Sequence, residues 1–142
     1  MINKAGLEII KRYEGLRLRA YYCPAKVLTI GYGHTGKDVT SEMVISQNMA
    51  DLLLAHDCIN SEKSILKLVK VKLSENQLSA LTSFVFNVGQ GNFKESTMLK
   101  LINDGKLEKA ADEFIKWNKS NGQVLPGLVS RRQSEKDLFL KT

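Results

Sequence analysis

One stretch decides how this chain is read: Glu14-Gly15-Leu16-Arg17-Leu18-Arg19-Ala20-Tyr21-Tyr22-Cys23-Pro24-Ala25-Lys26-Val27-Leu28-Thr29-Ile30-Gly31-Tyr32-Gly33-His34-Thr35. Leu18, Ala20 and Tyr22 alternate with Arg17, Arg19 and Tyr21, the period of a strand. Val27 to Tyr32 is rich in β-forming residues, and Pro24 and three glycines punctuate the run to Val39. The pattern predicts two or three short antiparallel strands between Leu16 and Val39.

On either side the period changes to that of a helix. Ile2, Gly6, Ile9, Ile10 and Tyr13 fall on one face, Asn3 is placed to cap that helix, and Gly15 to end it. Downstream, Ala50, Leu53, Leu54, Cys58 and Ile65 form one stripe. Ser74-Glu75-Asn76-Gln77 is a capping box, with Leu73 and Leu78 where a hydrophobic staple puts them. Leu78, Leu81, Val85 and Val88 continue that helix to Gly89. Further helices are expected after Ser96, across Leu107 to Trp117, and over Leu128 to Phe139, with a polar loop at Asn118 to Gly127.

The expected fold class is α+β within one domain, residues 1–142. A small β-containing lobe covers about 14–45, a helix over about 47–68 joins it onward, and 1–13 with 70–142 make a larger helical lobe. Two lobes on one chain predict a cleft, the usual seat of a polymer substrate.

Composition narrows the function classes. Of the 142 residues, 43% are hydrophobic and 25% charged, enough for a core under an ordinary soluble surface. The net charge is +6, which favours anionic partners. It is uneven: residues 1–37 hold Lys4, Lys11, Arg12, Arg17, Arg19, Lys26 and Lys37 against only Glu8 and Glu14. No basic stripe is interleaved with aromatics, so nucleic acid is not an expected partner. The N-terminal segment has no apolar run of signal-peptide length, and the expected location is the cytoplasm. Cys23 and Cys58 do not form a disulfide framework, and no Cys-x-x-Cys or His-x-x-x-His pair supports a metal site. No cofactor is expected, and a monomer is the default.

Glu14 is the first candidate for chemistry. A carboxylate at a helix C-terminus meets the negative end of the macrodipole, which together with burial raises its pKa. A carboxyl so raised can protonate a leaving oxygen. By itself Glu14 reads as a surface residue at a helix end, Thr29 as a β-former, His34 as a histidine tying its turn to a nearby carboxylate or carbonyl, and Arg131-Arg132 as a basic turn.

The spacing changes that reading. Eight residues separate Glu14 from Cys23, and five separate Cys23 from Thr29. This resembles the active-site signature of the T-even phage lysozyme family of glycoside hydrolases. Its pattern is Glu, eight residues, Asp or Cys, five residues, Thr. Ile30-Gly31-Tyr32-Gly33-His34, Phe86-Asn87-Val88-Gly89, and Leu125-Pro126-Gly127-Leu128 with Arg131-Arg132 and Glu135 resemble further family segments in the family's order.

The resemblance implies a lysozyme-like fold and a peptidoglycan hydrolase, an N-acetylmuramidase that cuts the β-1,4 bond between N-acetylmuramic acid and N-acetylglucosamine. It implies Glu14 as general acid, with Cys23 and Thr29 holding or activating water on the other face of the sugar. Cys stands where the family more commonly has Asp. A thiol is mostly neutral at pH 7, with a pKa of about 8.5; nearby Arg17, Arg19 or Lys26 can lower it, and a thiolate can serve as a base toward water or as a nucleophile that forms a thioglycosyl intermediate. Tyr32, Asn87, Ser96 and Thr97 are candidates to line the sugar cleft, Ser96 equally a helix cap. His34 is a supporting residue, and one of Arg131 and Arg132, with Arg131 preferred, would pair with Glu14; such a partner opposes the effect of desolvation, so no net sign of the Glu14 pKa shift follows from sequence. The resemblance also implies a phage or prophage lysis cassette. There a separate holin releases the enzyme from the host cytoplasm to the wall. The rival readings are a wall-binding module of weak activity and a lytic transglycosylase. Cys58, on the apolar stripe, is expected to be a core residue with no bridge to Cys23.

Overall fold

The computed structural model describes residues 1–141 and divides into two compact units, residues 10–57 and residues 1–9 with 58 onward. The expected β-lobe of 14–45 lies inside the first unit. That unit also takes the end of the first helix and about three turns of the second.

The unit of residues 10–57 holds the end of α1 (Lys4–Glu14), a three-stranded antiparallel sheet, and the start of α2 (Gln47–Leu68). The strands are β1 (Arg17–Tyr22), β2 (Leu28–Gly31) and β3 (His34–Thr35), in the order β1-β2-β3. Tyr21 faces Thr29 across β1 and β2, and Ile30 faces His34 across β2 and β3. The outer edge of β1 is covered by residues 43–45: Ala20 N–H donates to the Met43 carbonyl at 3.0 Å, and Ile45 N–H to that of Leu18 at 2.8 Å. The alternation that predicts β1 does not make one face buried. The register shifts between Arg17 and Tyr21, and Leu18 and Tyr22 stay 41% and 64% exposed. Ile10, Ile30, Tyr32, Val39, Ala50 and Leu54 are buried hydrophobic side chains of this unit, and Thr29 and His34 of its strands are buried too.

The other unit is helical and larger. Its elements are α3 (Glu75–Val88), the short α4 (Gln90–Lys94), α5 (Thr97–Asn103), α6 (Leu107–Glu113) with a 3₁₀ turn at Phe114–Lys116, and α7 (Pro126–Leu140). The predicted caps form. Asn3 Oδ1 accepts from Gly6 N–H at 3.1 Å, the Ser74/Gln77 capping box closes, and Gly89, at φ +91°, ends α3 by donating to the Val85 carbonyl. Phe84 is at the middle of the core, edge-on to Phe114 (5.3 Å), Trp117 (5.7 Å) and Phe93 (6.5 Å).

The loop expected over Asn118 to Gly127 is instead a hairpin, β4 (Lys119–Ser120) and β5 (Gln123–Val124), and α7 begins already at Pro126. Asn121 and Gly122 both take positive φ, +52° and +78°. Two left-handed residues at a two-residue connection are what a tight hairpin turn needs, and Pro126 fits the first helical turn because it has no amide proton to leave unbonded.

Candidate active site

Glu14 is the last residue of α1, and Gly15 follows at φ +76°, a conformation that stops a helix without steric cost. The carboxylate lies against the turn joining β2 to β3. A β-carbon placed on Gly33 would come within 3.1 Å of Glu14 Oε1. Gly33 also has φ +78°. Glycine is needed there for two reasons at once, the backbone conformation and the close approach of the carboxylate.

The neighbouring hairpin holds the other two predicted groups. Cys23 opens a turn in which its carbonyl accepts from Lys26 N–H at 2.7 Å, with Lys26 at φ +63°. The Val27 carbonyl then accepts twice, from Cys23 N–H at 3.0 Å and from the Thr29 hydroxyl at 2.9 Å. The five-residue spacer is thus the length of one hairpin loop, and the loop brings Cys23 and Thr29 together. Cys23 is half-buried and Thr29 buried. The Cys23 thiol lies below its ordinary pKa. The main cause is hydrogen bonding from the Val27 backbone, helped by Ala25 and the Thr29 side chain and opposed by desolvation.

That cause differs from the expected one. Arg17, Arg19 and Lys26 are not what lowers the thiol. Arg17 stacks on the Tyr21 ring at 4.6 Å, and the turn's own hydrogen bonds stabilise the thiolate. Both cysteines are thiols rather than disulfides, and Cys58 is buried in the core.

His34 is buried and clamped by two carboxylates. Its Nδ1 is 2.8 Å from Asp57 Oδ2 on α2, and its Nε2 is 3.0 Å from Asp38 Oδ2. Burial alone would lower its pKa, but the hydrogen bonds and charges of Asp57 and Asp38 outweigh it and raise it. Asp38 is correspondingly held below the usual carboxylate range, chiefly by its bond to His34. Through Asp57, His34 pins the glycine turn beside Glu14 to α2.

Tyr32 is only 7% exposed, which leaves little ring face for a sugar to stack on. Its hydroxyl accepts from Gln47 Nε2 at 2.9 Å and keeps its own proton to donate. Lys11 sits over the ring at 5.7 Å and pairs with Asp51 at 3.4 Å.

The remaining candidates belong to the helical unit. Asn87, near the end of α3, accepts from Arg132 Nη2 at 2.7 Å through Oδ1, which leaves its amide N–H groups available. It lines a pocket of about 430 Å³ together with Asn92, Trp117, Lys119 and Ser120. Ser96 is buried and acts as the cap of α5, accepting from Leu99 N–H at 3.1 Å and donating to the Phe93 carbonyl at 2.7 Å. That commits its hydroxyl to the fold rather than to a sugar. Thr97, beside it, is exposed.

Arg131 and Arg132 are buried on α7 around Glu135, with Arg131 Nε 3.3 Å and Arg132 Nε 3.0 Å from its carboxylate. Arg131 Nη2 also donates to the Ser83 carbonyl at 3.1 Å, and the Ser83 hydroxyl donates to Glu135.

Comparison with known proteins fixes the family. The phage lysozyme family model matches residues 11–135. The chain belongs to the phage lysozyme family. Within it, the chain is 48% identical to the endolysin of Bacillus phage B103 over 98% of its own length, spanning 54% of that endolysin. It thus covers about half the length of that relative. It is 41% identical to the endolysin of Salmonella phage P22, covering 98% of this chain and 97% of that one. Among solved structures, the muramidase domain of SpmX from Asticaccaulis excentricus superposes with a TM-score of 0.93 at 39% identity, over 100% of this chain and 99% of that domain.

Sequence reading misses three things. The sequence does not single out Asp38 and Asp57 as the partners of His34, although Asp38 is four residues on. Glu135 was read as part of a motif and not as the carboxylate shared by both arginines, although its spacing of three and four residues puts all three on one helix face. The hairpin that brings Lys119 and Ser120 beside Asn87 was signalled by Asn121-Gly122.

Proposed function

We propose that this chain is a muramidase: it hydrolyses the β-1,4 bond between N-acetylmuramic acid and N-acetylglucosamine in peptidoglycan. The observation that carries the proposal is the layout around β2. The Glu14 carboxyl lies against Gly33 just past one end of the strand, and Cys23 and Thr29, which share the Val27 carbonyl as acceptor, are at the other. Family membership and the likeness to an endolysin and a muramidase domain support it.

In this reading protonated Glu14 gives its proton to the glycosidic oxygen as the C1–O bond breaks, and an oxocarbenium-like centre forms at C1. Water attacks C1 and completes a reducing end. Thr29 orients that water, and the Cys23 thiolate, favoured by its turn, takes the water's proton. Tyr32, Asn87 and Thr97 supply hydroxyl and amide groups to the sugar hydroxyls and N-acetyl groups. His34 holds the turn beside the acid, and Arg131 is a supporting residue. The enzyme works as a monomer and reaches the wall when a separate holin opens the membrane.

The product decides the reaction class. Digested, purified peptidoglycan should yield muropeptides ending in reducing N-acetylmuramic acid by mass spectrometry. Products lighter by one water would make the enzyme a transglycosylase, and no products at all would leave a binding module. Cys23→Ser, a far weaker base and nucleophile, should be severely impaired, whereas Cys23→Asp should be active. A serine variant as active as the parent would remove Cys23 from the chemistry.

A further inference from the structure

Away from these residues, the helical unit has a pocket of about 440 Å³ formed by the C-terminal part of α2 and by α4. Its charged lining has one sign only: Lys63 and Lys67, one turn apart on α2, and Lys94 on α4. Among the described residues none of these ammonium groups takes part in an ion pair. Across the pocket the Ser64 hydroxyl donates to Gln90 Oε1, tying α2 to the start of α4. A second pocket, about 220 Å³, shares Ser64 and Gln90 and continues along Asn60 and Ser61. Because they share Ser64 and Gln90, the two pockets adjoin in one groove, cationic at one end and lined at the other by Asn60 and Ser61 together with Val85 and Gly89.

Among the described residues the three lysines make no ion pair that would hold them here, whereas the Ser64–Gln90 bond ties the helices. Like charges one helical turn apart repel, and Lys94 adds a third cation to the same hollow. An anion seated there would relieve the repulsion. Lysine ammonium groups bind phosphate as point charges. Hydroxyl-rich ligands need partners that both donate and accept, which Ser, Asn and Gln side chains provide. The groove's two ends thus match the two halves of a repeating unit, a phosphate and a hydroxylated spacer.

We propose that the groove binds a phosphodiester-linked polyol polymer of the bacterial wall, with its phosphate among Lys63, Lys67 and Lys94 and its polyol along Asn60 to Gln90. It is a second wall contact, distinct from the glycan site, that retains the enzyme on its substrate surface. The proposal rests on the muramidase reading only in taking the wall as the place of action.

The test is titration calorimetry of the full chain with a synthetic poly(glycerol phosphate) oligomer. A variant carrying Lys63→Gln, Lys67→Gln and Lys94→Gln is compared with one carrying Lys4→Gln, Lys109→Gln and Lys141→Gln, which has the same net charge. Both should melt like the parent and cleave a short neutral chitooligosaccharide at the parent rate. The groove variant should bind the oligomer about tenfold more weakly or worse, and the control variant should bind it nearly as the parent does. Equal loss in the two variants would overturn the proposal, because bulk charge would then explain the binding. It would also be overturned if vesicles of phosphatidylglycerol bound as tightly per phosphate and with the same dependence on the groove lysines. Cleavage of the chitooligosaccharide is read in parallel, so a failure of the muramidase reading appears there and not in the calorimetry.

Discussion

Each of the two units of this chain is stabilised internally by different physics. The helical unit is organised around Phe84, which meets three other aromatic rings edge-on inside a cluster of buried aliphatic side chains. The unit of residues 10–57 buries few large side chains and leaves Leu18, Tyr22, Val27 and Val44 exposed. Its critical turn is fixed by polar contacts, with His34 between Asp38 and Asp57, Gly33 against Glu14, and the Val27 carbonyl shared by Cys23 and Thr29. Glu14 and Cys23 are therefore placed where stability depends on pH and hydrogen bonding, and the bulk hydrophobic stabilisation lies elsewhere in the chain.

The largest expected effect falls on the hydrophobic side of that contrast. Phe84→Ala removes a wholly buried ring and its edge-on partners, and chemical denaturation should register a loss of about 3–5 kcal/mol. A loss below about 1 kcal/mol would mean that this core is not what holds the helical unit.

The next effect is electrostatic. The folded His34 pKa lies above its unfolded value of about 6.5. Its contribution is therefore complete below that pH and fades as pH rises through the folded pKa. Asp38, lowered in the fold, acts in the opposite sense and contributes above its unfolded value of about 3.9, losing that contribution in acid. The clamp should be strongest between those limits. His34→Gln should cost about 1–2 kcal/mol there, mostly through Asp57, because Asp38 is 61% exposed and screened. Stability of the variant followed against pH should lose the decline that begins in the parent above about pH 6.5. A decline of the same size in both proteins would remove His34 as its cause.

A smaller stability effect separates positioning from folding. Gly33→Ala forces a β-carbon into a left-handed conformation beside Glu14 and should cost about 1–2 kcal/mol. Its activity on peptidoglycan should fall much further than its melting temperature, because the new methyl displaces the acid. Parallel small losses in both would mean that the Glu14 carboxylate tolerates the shift.

How much of this was legible in the sequence follows the same division. Helix caps were readable because they are local: Asn3, the Ser74 box and Gly89 each act within a few residues of themselves. The sheet was readable from alternation and glycine punctuation, but its burial was not. Which side of β1 is covered depends on a register shift and on residues 43–45 returning along its edge, both set by tertiary structure. The Cys23–Thr29 pairing was legible as a spacing. The source of the thiol's lowered pKa was not, because charged residues are visible in a sequence and the direction of a turn's amides is not. Ser96 was readable as both cap and sugar contact, and the distances decide for the cap. Asp57, 23 residues beyond His34, carried no local signal at all.

The central claim is that Glu14 is the acid that cleaves the glycan, and one measurement addresses it directly. Glu14→Gln keeps the side chain's size and its place against Gly33 but has no acidic proton to give. With its circular dichroism and melting temperature matching the parent, it should release reducing sugar from purified peptidoglycan roughly a hundred- to ten-thousand-fold more slowly. A folded Glu14→Gln protein that cleaves within a few-fold of the parent rate would contradict the account.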